Sequence, residues 1–169
     1  MIFLTFNPNQ EIFESLALRT QTLASLYNTS ILLPDRYGTK SLKYSTKERI
    51  EKADWLLALT TNQISRQVQS EIKHARIKGK KALVIYTNAL ISDYGVISGY
   101  GLLVKPRNAH CYILPPKINP VALLPQIMSN MCNKEGLVCV KELESILGIL
   151  LGMLGLHILE KVKEIQCDI

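Results

Sequence analysis

Short, almost continuous apolar runs alternate along this chain with segments whose apolar residues recur every three or four positions. The runs are Met1 to Phe6, Ser30 to Leu33, Trp55 to Leu59, Ala82 to Tyr86 and Cys111 to Leu114. Each has strand length, and the scarcity of apolar-polar alternation predicts strands covered on both faces. After the first run, Asn7, Pro8 and Asn9 make a turn and Glu11 opens a helix. Its expected inner face is Ile12, Leu16, Leu23 and Tyr27, with Phe13, Ala17 and Ala24 beside them. Pro34 stops the second strand, and Asp35 to Lys43 is a polar loop. Ser45 and Glu48 then match the S-x-x-E capping box, opening a short helix that carries Ile50 and Ala53 inward. Between the third and fourth runs, Ile64, Val68, Ile72 and Ala75 keep helical spacing and Gly79 supplies the stop. Thr87 to Pro106 reads as a long loop over one end of the sheet, with Gly101 to Val104 a candidate small strand. Pro115 and Pro116 end the fifth strand, and Pro120 sits near the start of a helix through Met131.

Strands alternating with helices, joined by short links, predict right-handed βαβ units in a parallel sheet with helices on both faces. Five strands fit the flavodoxin-like order 2-1-3-4-5 best. Ligands of such sheets sit beyond the carboxyl ends of the strands, at the switch point between strands one and three. The residues expected there are Phe6 and Asn7, Asp35 and Arg36, and Thr60, Thr61 and Asn62. Ser65, at the start of the following helix, is either a substrate contact or a helix cap.

Glu71 breaks the pattern. At about 100° per residue it projects inside the apolar stripe, between Ile64 and Ala75. Burying an unpaired carboxylate is costly, so it needs a reason. Either it pairs with Lys73, His74 or a basic residue elsewhere, or it is aimed into the crevice at the carboxyl end of the sheet. Without a partner, Glu71→Ala stabilises the chain; a fall in melting temperature marks an ion pair. His74, one turn away, reads as a surface histidine.

Composition changes this picture little. The net charge of +6 is uneven: residues 134–169 carry four Lys against six Asp and Glu, leaving +8 on the first 133. A basic body suits an anionic ligand such as a dinucleotide. Nucleic acid is not expected, because the basic residues are scattered and no aromatic-rich binding motif accompanies them. Cys111, Cys132, Cys139 and Cys167 form no CxxC pair, and with three isolated His they give no metal-ligand spacing. Reduced thiols and the absence of a signal peptide point to the cytoplasm.

The segments IFLTF, ILLPDRYG and TKERIEKADWLLALTTNQISRQVQSEIKHARIKGKKALVIY, in that order, resemble a divergent, stand-alone bacterial Toll/interleukin receptor (TIR) domain. The likeness covers about residues 1–88. It rests on a helix with "I..AD", an apolar strand, a Ser, and a Glu followed by an Ala-containing helix and a strand. The resemblance implies cleavage of NAD between nicotinamide and ribose, with Glu71 at the position of the family's key glutamate and no further cofactor. It also implies linear or cyclic ADP-ribose signals in antiphage defence, as in Thoeris systems, read by a downstream effector protein. Phe6, Asn7, Asp35, Arg36, Thr61, Asn62 and Ser65 are the expected substrate-side residues. Phe6-Asn7-Pro8 replaces the family's Tyr and following Ser or Asp, and the Trp-Cys pair often preceding the glutamate is missing. Two alternatives stand beside this: an enzyme like the nucleoside 2-deoxyribosyltransferases, which also use a helix glutamate, and a non-catalytic TIR-like assembly module.

Residues 134–169 form a second segment. Its core, SILGILLGMLGLHIL from Ser145 to Leu159, is apolar on every side and contains Gly148, Gly152 and Gly155. A bilayer span needs about 20 apolar residues, so membrane association is the secondary expectation. The primary one is homo-oligomerisation: the α/β domain already has its helices, and small residues at this spacing let helices of neighbouring copies approach closely.

Overall fold

The computed structural model describes residues 1–8, 11–36, 41–60, 64–87, 109–114, 118–135 and 141–167. Five strands, β1 (Ile2–Phe6), β2 (Ile31–Leu32), β3 (Trp55–Thr60), β4 (Lys81–Tyr86) and β5 (His110–Ile113), form one parallel sheet in the order β2-β1-β3-β4-β5. This is the flavodoxin-like arrangement expected from the sequence. The strand reversal falls between β1 and β3, where Thr5 pairs with Ala58 and Phe6 with Leu59. The expected small strand at Gly101 to Val104, and the loop beyond Thr87, lie outside the described residues.

Side-chain alternation along β1 divides the core into two layers. Ile2, Leu4 and Phe6 face the layer of α1 (Glu11–Ser25), α4 (Leu124–Glu135) and α5 (Lys141–Cys167). Phe3 faces the layer of α2 (Tyr44–Lys52) and α3 (Arg66–Ile77), with Ile50, Ile64, Val68, Ile72 and Ala75. Gly79 ends the α3 segment at φ +68, a left-handed conformation that favours glycine.

Three sequence expectations are corrected. The buried face of α1 is Phe13, Leu16, Ala17, Thr20 and Ala24, whereas Leu23 and Tyr27 are exposed. Thr20 can be buried because its hydroxyl donates to the Leu16 carbonyl at 2.6 Å, and Tyr27 lies beyond the helix end. The capping box does not form: α2 begins at Tyr44, with Lys43 as N-cap and no side-chain cap. The Ser45 hydroxyl is instead committed to Asp35 Oδ2 at 2.9 Å.

The third correction concerns α5. Leu143, Ile146, Leu147, Leu150, Leu151 and Leu154 are buried in the same core as β1, β3 and α1, so the helix is not surplus to the fold. Of its glycines, Gly155 has a tight neighbour within the chain and Gly148 an ordinary contact. A Cβ on Gly155 would stand 3.0 Å from Asn119 Oδ1, and one on Gly148 would stand 3.6 Å from Leu124. Among the described residues no helix is long and apolar enough to cross a membrane.

Candidate functional site at the carboxyl end of the sheet

Thr5 follows Phe3 by two residues, so its side chain joins the α2–α3 layer one step nearer the carboxyl end of β1. Helix α3 buries Val68, Glu71, Ile72 and Ala75, the i, i+3, i+4, i+7 set of one face. Glu71 is therefore carried inward with its apolar neighbours and is only 1% exposed. From the middle of α3, Glu71 reaches Thr5 on β1.

The carboxylate is paired. The Thr5 hydroxyl donates a short hydrogen bond to Glu71 Oε2. Arg36, four residues past β2, lays its guanidinium along the same group: Nε is 3.3 Å from Oε1, and Nη2 is 3.0 Å from Oε2 and 3.2 Å from Oε1. The remaining donor capacity of Arg36 goes to β1. Nη1 donates to the Phe6 carbonyl at 2.6 Å and Nη2 to Thr5 Oγ1 at 2.7 Å. The Thr5 hydroxyl thus accepts from Arg36 and donates to Glu71, which fixes its proton. The guanidinium also lies 5.1 Å from the centroid of the Phe6 ring, within cation–π range.

Burial pushes the Glu71 carboxyl above the usual carboxylate range. The Arg36 charge and the hydrogen bonds from Thr5 and Arg36 pull the other way without cancelling that push. A buried charge held by a fork of donors is the arrangement arginine serves best.

Beside this pair runs a small polar groove, lined by Asp35, Arg36, Ser41, Leu42, Lys43, Thr46, Gln67, Ser70 and Glu71. Asp35 binds the Lys43 ammonium at 2.8 Å, and its backbone N–H donates to Thr46 Oγ1 at 3.0 Å. The β2–α2 connection is thereby fastened to the first turn of α2. The groove carries two cations and two carboxylates, paired within it.

Of the expected site residues, the structure brings Glu71, Arg36, Phe6 and Asp35 to this groove or its wall. Asn7 and Ser65 lie beside them and hold each other: Ser65 N donates to Asn7 Oδ1 at 3.0 Å. Ser65 is the N-cap of α3, accepting from Val68 N at 3.2 Å. Thr61 and Asn62 lie outside the described residues. His74 faces away, with Nε2 3.0 Å from Glu51 Oε1. Sequence reasoning missed Thr5, although a lone hydroxyl inside an otherwise apolar strand was a visible signal. Among the described residues no group of His, Cys, Asp or Glu is placed to hold a metal ion.

Compared with protein-family models, with curated proteins and with solved structures, the chain matches none of them.

Proposed function

We propose that this chain is a TIR-like enzyme that cleaves the nicotinamide–ribose bond of NAD, with Glu71 as the reacting carboxylate. The observation that carries this reading is the position of Glu71. Among the described residues it is the one buried carboxylate, and it stands at the carboxyl end of the parallel sheet, beside the β1–β3 switch point.

The chemistry needs little else. The bond from ribose C1′ to the pyridinium nitrogen breaks, and its electron pair leaves with nicotinamide, which departs neutral. Positive charge builds on the ribose, as in other glycosidic cleavages. A fixed carboxylate in a site poor in water stabilises that charge, or holds a ribose hydroxyl against it. Water then adds at C1′ and releases a proton, giving ADP-ribose; attack by a group of the ADP-ribose itself gives a cyclic product. The product is a nucleotide signal for a downstream effector protein. Phe6, Asn7, Asp35, Thr61, Asn62 and Ser65 form the substrate side.

One observation favours a second reading. Both oxygens of Glu71 are occupied by Arg36 and Thr5, as a purely structural ion pair requires. On that reading the chain is a non-catalytic TIR-like assembly module. Incubation with NAD and with a deoxynucleoside plus free base, followed by mass spectrometry, separates the possibilities. Free nicotinamide supports the NAD-cleaving enzyme, base exchange supports a deoxyribosyltransferase-like one, and neither product supports the assembly module.

A further inference from the structure

We propose that Arg36 is the positioning residue of this site, keeping the buried Glu71 carboxylate ionised and fixing its orientation toward the groove. The role deepens the reading of Glu71 as the reacting group, and it differs from the substrate contact that sequence position alone suggests.

The geometry carries the argument. Arg36 spends its donors on one neighbourhood: two oxygens of Glu71, the Thr5 hydroxyl and the Phe6 carbonyl. Its side chain is 16% exposed, so the charge works where water screens it weakly. The Phe6 carbonyl and ring hold the guanidinium from β1. The guanidinium in turn sets the carboxylate, because Nε meets Oε1 at 3.3 Å while Nη2 spans both oxygens, at 3.2 Å from Oε1 and 3.0 Å from Oε2. The oxygens are not held equally. Oε2 has the Thr5 hydroxyl and Nη2 at 3.0 Å, whereas Oε1 has only contacts of 3.2 and 3.3 Å. Oε1 is the oxygen a ribose can claim while Oε2 stays anchored.

Among the described residues, the other charges near Glu71 do not substitute for Arg36. Across the groove Asp35 and Lys43 are paired with each other at 2.8 Å. On α3, His74 is engaged with Glu51. From β1 the carboxylate receives only the neutral Thr5. Burial already favours the protonated form of Glu71, and Arg36 is the cation that opposes it. Without it Glu71 takes up a proton closer to neutrality.

The test is a carbon-13 NMR titration of the full chain labelled at glutamate carboxyls, with Glu71 assigned by Glu71→Gln. In Arg36→Met the Glu71 midpoint moves up by about one to three pH units, the effect of removing an adjacent opposite charge. Arg36→Lys retains part of the depression but not the two-oxygen contact. An unmoved midpoint in Arg36→Met overturns the proposal. If Arg36→Met fails to fold, Arg36→Met/Glu71→Gln regains the fold, because the damage comes from the unpaired carboxylate; a double variant as unstable as the single one also overturns it. Where NAD is cleaved, the acid limb of kcat/KM moves upward with the midpoint. A wild-type chain that releases no nicotinamide defeats the functional reading, whereas the titration still decides the role of Arg36.

Discussion

Glu71 shows how far a single position can be read. Its place inside an apolar stripe was legible from helical spacing, and the structure buries it to 1% exposure. Its partner was not legible. Arg36 lies 35 residues away, with α2 and β3 between, and no local rule connects the two. The partner reverses one expectation. Glu71→Ala now lowers stability, because it strands the Arg36 guanidinium among groups already satisfied by the pair. Removing one member of a buried pair costs about 3–5 kcal/mol, and the residual exposure of Arg36 sets this case at the lower end. Chemical denaturation of Glu71→Ala beside wild type checks this; equal or higher stability contradicts it. The pH dependence has a definite sign. The Glu71 carboxyl titrates above its unfolded value, so the folded state binds the proton more tightly. Its contribution to stability is fully present below the unfolded value and is lost as pH rises through the folded one. Wild type therefore loses stability relative to Glu71→Gln over that interval, which melting curves across pH reveal.

At the scale of elements, β3, α3 and β4 were legible to within a residue or two, because long periodic segments with a glycine stop leave little choice. The face of α1 was legible in part: Phe13, Leu16, Ala17 and Ala24 are buried as expected. Leu23 and Tyr27 have the right chemistry for a core, but Thr20 takes an inner position by bonding its own backbone. Two glycines of α5 stand in different surroundings, which helical spacing alone does not tell apart: a Cβ at Gly155 would meet the Asn119 side chain of the same chain, and one at Gly152 would meet open space. The two glycines respond differently to alanine. Nothing lies within 4 Å of a Cβ at Gly152, so Gly152→Ala gains about 0.8–1 kcal/mol from helix propensity. At Gly155 the new methyl meets Asn119, whose side chain caps the 3₁₀ turn Pro120–Leu123, so Gly155→Ala gains less or destabilises. Urea denaturation of the two variants gives the comparison, and equal gains contradict it.

For the molecule as a whole, the sheet order followed from element alternation, whereas the role of α5 did not. An all-apolar helix reads equally as an oligomer seam or as a missing layer, and only packing separates them. Here Leu143, Leu147, Leu150 and Leu154 complete the α1 layer, so removing the residues after Lys134 strips that layer of apolar cover. Self-association remains a proposal for the outer side of α5, where Leu156 and Leu159 are 62% and 57% exposed. Lysine at both positions leaves the core untouched, and light scattering then reports a lower mass than wild type; a wild-type monomer at micromolar concentration contradicts the idea. On the proposed reading, the carboxylate at the switch point breaks a glycosidic bond. Its most direct test is nicotinamide release from NAD, followed by mass spectrometry, for purified wild type and folded Glu71→Gln side by side. Wild type releases nicotinamide, and Glu71→Gln releases none above background. Equal release by both proteins, or none by wild type, contradicts it.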